Sequence, residues 1–392
     1  MSNSIAPTAE SSSRRWTAVC AIALGTFVMV TSEFLPVGLL GSLARDLGAS
    51  EGRTGLLLSV PGLVAAISAP AFAIFAGRLD RRMVLSGLTL SIALSDLVVA
   101  HAVHLWMALA GRVLLGLALG GVWTFAAAIG RRLVSQDDGN RAAAIIMGGI
   151  SIGTVLGVPL GTLAGGLVGW RAAFDGVALL ALIAFALQAM IIPPLEASER
   201  LNVKAMTAVL RVPAIRIGFL ATALVVAGHF SAYAYLEPFL AARGVSGAVM
   251  AWLLAGYGLA GLIGVWLGTW ASSLSPRRAL AGAMLVIGLA IGTTLLTGSQ
   301  PAMAATTILA WGAAFGALPL CLQVWTLRAA PRNFEASSAL TNTVFQSSVA
   351  IGALVGGLIV DHGGVGKAWM IGSALALTGA LVASRKPASD PN

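Results

Sequence analysis

The sequence predicts an all-α membrane protein: twelve transmembrane helices in two six-helix bundles related by a pseudo-two-fold axis, with both termini cytoplasmic. Three observations predict it. Twelve apolar runs, at 16–41, 54–76, 83–103, 105–130, 142–165, 171–192, 214–240, 248–272, 279–298, 302–327, 336–360 and 366–384, could each cross a bilayer, which takes about 20 mostly apolar residues. Of the 24 lysines and arginines, 18 fall in alternate gaps, five in the other gaps, and one, Arg112, inside a run. A Lys/Arg excess marks the cytoplasmic side, and an even number of spans returns both ends to it. Finally, the longest polar gap, 193–213, divides the runs six and six. The halves echo each other: Arg81-Arg82 follows run 2 as Arg277-Arg278 follows run 8, Arg141 and Glu335 enter runs 5 and 11, and Glu33 and Pro36 match Glu237 and Pro238. Repeats of this kind place a transport site at their interface near the midplane.

Composition excludes several classes. The chain is 58% hydrophobic and 10% charged, against about 25% charged for a soluble domain. The net charge of +9 is spread in pairs over many loops, which is a topological signature rather than a stripe for nucleic acid. Cys20 and Cys321 lie inside runs and read as packing residues. His101 and His104 have no acidic third ligand beside them, so no metal is expected. "GGVGKA" at 363–368 lacks the first glycine and the final hydroxyl of a phosphate loop. No catalytic cluster is visible, so neither an enzyme nor a cofactor is expected.

Taken in order, residues 1–15 read as a polar, Ser-rich, disordered tail. The bundles are then 16–192 and 214–384, the linker is 193–213 and the closing tail is 385–392. Ionisable residues inside spans cost at least about 2.5–3.5 kcal/mol each at a helix centre and default to function. Glu33 in span 1, Asp96 in span 3 and Arg112 in span 4 fall at similar depth, each about seven or eight residues from the outer end. Arg112 is therefore expected to pair with Glu33 or Asp96, leaving the other acid to titrate. Span 4 continues with Gly116, Gly120 and Trp123 on one stripe, the tryptophan able to stack on a ring. Span 5 carries Gly149, Gly153, Gly157, Gly161 and Gly165 every four residues, with Pro159 among them. Such a ridge permits tight helix crossing, and it reads as the contact along which the bundles meet. In span 7, His229, Tyr233 and Glu237 at i, i+4 and i+8 form one face, expected to wall a cavity; Tyr235 points elsewhere and reads as packing. In span 11, Ser338, Asn342 and Gln346 repeat that spacing, and the amides can reach a ligand or another helix.

These residues carry a family resemblance. "RVLLGLALGG" at 112–121, "SIGTVLGVPLG" at 151–161 and "GRLDRR" at 77–82 resemble motifs of the major facilitator superfamily, in its drug:proton antiporter branch, over roughly residues 16–384. The resemblance implies export by alternating access of two rocking bundles. It ties Arg112 to proton transfer and makes Asp80, with Gly77 and Arg81, a latch of the cytoplasmic gate against span 11. Asp80 stands three residues after Gly77, where the family has four. "SEFLPVGLL" at 32–40 and "HFSAYAYLEPFL" at 229–240 resemble the bacterial sugar efflux transporters; "LGLALGGVWTFAAA" at 115–128 and "VGWRAAF" at 168–174 resemble equally the purine ribonucleoside exporters.

The expectation is a monomeric, proton-coupled exporter of small polar solutes, sugars or nucleosides, in a bacterial inner membrane; broad drug export is the alternative. Glu33 would carry the proton, with Arg112 and Asp96 setting its affinity and His229 and Glu237 also coupled. Substrate would lie among Glu33, Trp123, His229, Tyr233, Glu237, Asn342 and Gln346. Gly77, Asp80, Arg81, Gly153, Gly157 and Pro159 would serve gating. The partners expected are substrate, protons and lipid, without nucleic acid.

Overall fold

The computed structural model describes residues 9–75, 79–195, 203–245, 247–297 and 301–385. Among these, twelve helices are long and apolar enough to cross a membrane. Spans 1–6 are Ser13–Gly38, Glu51–Phe72, Arg81–Ala100, Leu105–Ala126, Gly139–Val168 and Trp170–Ile191. Spans 7–12 are Pro213–Tyr233, Gly247–Leu274, Pro276–Thr297, Ala302–Ala329, Ala336–Gly363 and Val365–Ser384. Helix begins already at Ala9, earlier than a tail through residue 15 allows; residues 1–8 and 386–392 of the expected tails lie outside the described residues. The gap between halves carries a short helix, Val203–Val209, and its residues 196–202 also lie outside the description.

Each half has its own apolar core. Ile22, Met29, Ile92, Leu115 and Phe174 anchor the first; Phe230, Met284, Trp311 and Trp369 anchor the second. The second core also takes in Val37, Leu40, Leu58 and Val158 of the first half, so the two cores merge along a seam. At the seam, span 2 lies against span 11 and span 5 against span 8. Because the spans are even in number, both chain ends emerge on one face, here the terminal face; the other is the far face.

Prolines decide where the spans break. Span 1 tightens to a 3-10 turn at Leu35–Gly38, where Pro36 has no N–H to continue the α-helical ladder. Span 7 stops at Tyr233, and a separate helix, Leu236–Ala241, restarts beyond it. Pro238 is tolerated there because it falls in a first turn, where no N–H is missed. The expected single face through His229, Tyr233 and Glu237 is thereby interrupted, and Glu237 belongs to the second helix.

Span 5 widens into a π-helical stretch at Gly153–Gly157, immediately before Pro159 in the first turn of Val158–Val168. Its glycine ridge does not join the bundles. Gly149 lies over Ala23 and Thr26, Gly153 over Phe27 and Val30, Gly157 over Thr31 and Gly161 over Leu35. The ridge therefore packs on span 1 of its own half, and a Cβ at Gly157 would collide with the Thr31 side chain. Contact with the other half uses a neighbouring stripe, where Thr154 and Val155 meet Gly258 of span 8.

Candidate functional site

The Arg112 side chain is fully buried in span 4, and its guanidinium holds two other helices by their backbones. Nε donates to the Leu57 carbonyl at 2.8 Å. Nη1 donates to the Ser32 carbonyl at 2.9 Å, and Nη2 to the Glu33 carbonyl at 2.9 Å. Two of these acceptors have a shared reason to be free. A carbonyl at i normally receives the N–H of i+4; for Ser32 that residue is Pro36, and for Leu57 it is Pro61. Arg112 supplies to spans 1 and 2 the donors their prolines lack. An unpaired buried carbonyl costs about 1–3 kcal/mol, so the cation is anchored by need on both sides. This corrects the expected ion pair, since Arg112 donates to carbonyls rather than to the carboxylate of Glu33 or Asp96.

The two acids surround this clamp. Asp96 is fully buried in span 3; its Oδ1 accepts from the Ser32 hydroxyl at 2.6 Å, and its Oδ2 has no hydrogen-bond partner. The same hydroxyl lies 3.4 Å from Arg112 Nη1, so Ser32 relays between acid and cation. Glu33 is 5% exposed. Its carboxylate accepts from Gln346 Nε2 of span 11 at 3.5 Å. Gln346 itself lies where span 11 crosses Gly62 of span 2. Glu33 thus has its backbone held by its own half and its carboxylate engaged by the other. Beside it, at the end of the α-helical part of span 1, Phe34 stacks on Phe230 of span 7, with ring centroids 5.8 Å apart.

The second half repeats the arrangement without charge. Trp311 Nε1 in span 10 donates to His229 Nδ1 in span 7 at 2.9 Å, linking the first and fourth spans of that half as Arg112 links them in the first. The sequence separations are 82 and 80 residues. With Nδ1 accepting, neutral His229 carries its proton on Nε2, which has no partner. Phe315 stacks on the imidazole at 3.7 Å, Tyr233 covers its other side at 5.0 Å, and Tyr257 stacks on Tyr233 at 5.1 Å. His229 and Tyr233 are therefore enclosed in an aromatic cluster, where the sequence suggested an open cavity wall. Only Phe315 and Phe345 of this group are half-exposed, and they form its rim.

The other site residues are dispersed. Asn342 is half-buried, one turn from Gln346. Trp123 is 37% exposed on span 4, three turns toward the terminal face from Arg112. Glu237 sits at the far face, accepting from Gly41 N–H at 2.8 Å; burial raises its carboxyl above the usual range, against the lowering effect of that bond. Asp80 caps span 3 by accepting from Arg82 N–H at 2.9 Å, and accepts from Leu195 N–H at 3.1 Å. It therefore ties span 3 to the chain after span 6. Arg81 is buried with its guanidinium 4.4 Å from the centre of the Phe125 ring, and Gly77 lies outside the described residues. Also at the far face, Asp46 accepts from Trp170 Nε1 at 2.8 Å and Arg171 at 2.9 Å. The Trp170 bond, then Arg171, holds its carboxyl below the usual range.

Sequence reasoning missed Ser32, Leu57, Trp311, Phe315 and Asp361. The two prolines four residues after Ser32 and Leu57 were the available signal for the first pair. Tyr235, read as packing, donates to the Ala353 carbonyl at 2.7 Å and reaches Gly52 of the first half at 3.4 Å.

Twelve spans, two merging cores and buried ionisable groups on the seam between them define a membrane carrier. Residues 22–353 match the Major Facilitator Superfamily, and the chain belongs to that superfamily. The "Transcription regulatory protein OpdE" of Pseudomonas aeruginosa is 35% identical over 372 residues, covering 94% of this chain and 92% of the relative. The "Purine ribonucleoside efflux pump NepI" of Salmonella typhimurium is 32% identical over 374 residues, covering 95% and 94%. The protein is a transporter, not an enzyme, and a multi-pass protein of the bacterial inner membrane.

Proposed function

We propose that this protein is a proton-driven antiporter that exports nucleosides, with both termini in the cytoplasm. The observation that carries the reading is the position of Glu33. Its carboxylate meets Gln346 across the seam while Arg112 grips its carbonyl. Protonation removes the negative charge from that cross-seam bond, and charged hydrogen bonds are roughly twice as strong as neutral ones. A proton on Glu33 therefore changes how firmly span 1 holds span 11, which is the coupling an antiporter needs. Asp96 and Arg112 set the electrostatics of this step through Ser32. Orientation follows from the Lys/Arg excess on the terminal face.

For the substrate, the aromatic rim of Phe315 and Phe345, with Trp123 on the opposing half, suits a planar base. The amides of Asn342 and Gln346 suit its hydroxyls and ring nitrogens. The efflux name of the Salmonella relative favours the same class. Sugar export draws on the amides alone, and broad drug export gains nothing from these relatives. Gly153, Gly157 and Pro159 act mechanically, through the widened turn of span 5.

The test is uptake of labelled inosine and labelled arabinose into everted membrane vesicles, energised and then treated with a protonophore. Inosine accumulation that collapses with the protonophore is the expected result. Accumulation of arabinose alone would transfer the reading to sugars, and accumulation insensitive to the protonophore would remove proton coupling.

A further inference from the structure

The far face is closed by two carboxylates of the second half, each bound to backbone of the first. Asp361, near the end of span 11, accepts from Ser50 Oγ at 2.7 Å and from Gly52 N–H at 3.0 Å. Ser50 caps the start of span 2 by accepting from Arg53 N–H at 3.2 Å, so one hydroxyl serves cap and closure together. Glu237 accepts from Gly41 N–H, just beyond the end of span 1. Gly52 must be glycine for this contact, because a Cβ there would strike the Gly357 carbonyl and the Asp361 carboxyl. The closure also gathers like charges: Glu51 acts electrostatically on both Asp361 and Glu237, with Arg45 nearby to offset it. Contact is thus tight and specific in geometry while remaining electrostatically tense, as suits a joint that must part in every cycle.

We propose that Asp361 and Glu237 are the two bolts of the far gate, and that both must release Ser50, Gly52 and Gly41 for that side to open. This deepens the transporter reading above and rests on it. Asp361 lies 15 residues beyond Gln346 on the same helix, about 22 Å along its axis at 1.5 Å per residue. Span 11 therefore carries both the contact to Glu33 and the bolt, and a rigid movement of that one helix links them.

The experiment labels a seam cysteine from outside the cell. In a Cys20→Ser, Cys321→Ala background, Ala350→Cys places a thiol at the side chain that meets Gly62. A membrane-impermeant maleimide added to intact cells reports how often the far side opens. Asp361→Asn and Glu237→Gln each trade a charged acceptor for a neutral one, and each should raise the labelling rate about fivefold to tenfold, the double variant more. Equal rates in all three would overturn the proposal. Ala118→Cys, inside the first core, should stay unlabelled in every background. Labelling there would mean general loosening and would overturn the claim for that variant. The decisive second measurement is then Ser50→Cys with Asp361→Cys. Oxidation should lock the far side and stop labelling at position 350, and reductant should restore it; labelling that continues through the cross-link overturns the gate. None of these readouts needs a substrate, so loss of inosine transport alone would sink the nucleoside reading and leave the gate intact.

Discussion

Arg112 makes to the Ser32 carbonyl the hydrogen bond that Pro36 cannot make. The same guanidinium makes up for Pro61 at Leu57. A buried arginine in span 4 thus supplies the donors that prolines remove from the ladders of two helices, and it places the Glu33 backbone while its carboxylate meets Gln346.

This relationship predicts a double-mutant result. Arg112→Lys offers a compact ammonium that cannot reach acceptors on two helices in the fork geometry of a guanidinium. It should destabilise the protein by about 2–4 kcal/mol as carbonyls lose partners. Pro36→Ala restores the local N–H, so Arg112→Lys should cost at least about 0.5 kcal/mol less in that background. Strict additivity in a thermal-melt cycle would show that the proline and the arginine are unrelated.

Glu33→Gln keeps the size of the side chain and removes its titration. Uphill inosine uptake in everted vesicles should vanish, while protonophore-independent exchange of labelled for unlabelled inosine persists. Undiminished uphill uptake would remove Glu33 from the coupling role.

His229→Ala leaves the buried Trp311 indole N–H without its acceptor and should cost about 1–3 kcal/mol. His229→Asn can still accept at that position and should recover part of it. Tryptophan emission should shift with the alanine variant because Trp311 is fully buried. Identical melting of the two variants would show that the imidazole acts by packing alone.

Gly157→Val drives a branched side chain into Thr31. Overpacking of this kind costs about 1–3 kcal/mol, and it should lower the melting temperature. The same change at Gly148, which meets nothing within 4 Å, should be near neutral. Similar losses at both would mean that helix propensity, not the ridge, is being read.

Asp46 carries a pH signature. Its carboxyl lies below the usual range through Trp170 and Arg171. The stability it contributes is therefore present at neutral pH and declines as pH falls below about 4, through its lowered folded-state value. The group is about half exposed, so the effect is small. Asp46→Asn should flatten the acid limb of the melting temperature relative to the parent; an unchanged limb would assign it to other carboxylates.

Much of the architecture was legible because bilayer physics writes in long words. The twelve runs each span about twenty residues or more, and among the described residues twelve helices long and apolar enough to cross a membrane answer to them. The glycine ridge was legible as a tight crossing, but not its partner: spacing every four residues defines a stripe, and span 1 of the same half was as compatible as the other bundle. The His229, Tyr233, Glu237 face failed because the pattern assumes an unbroken helix, and Pro238 forces a restart.

The sequence by itself determined the class: an even set of membrane helices in two halves, with acids, an arginine and amides set into them at a cost that only function justifies. Only the tertiary structure decided who meets whom. Arg112 went to carbonyls because two prolines on separate helices left acceptors within its reach, and Glu33 went to Gln346 because span 11 crosses beside it. Asp361, unremarked in the sequence, became a bolt because the start of span 2 presents its free N–H groups there. Hydropathy is a property of each segment alone, whereas a hydrogen bond between residues 309 or 313 positions apart exists only after the helices have packed.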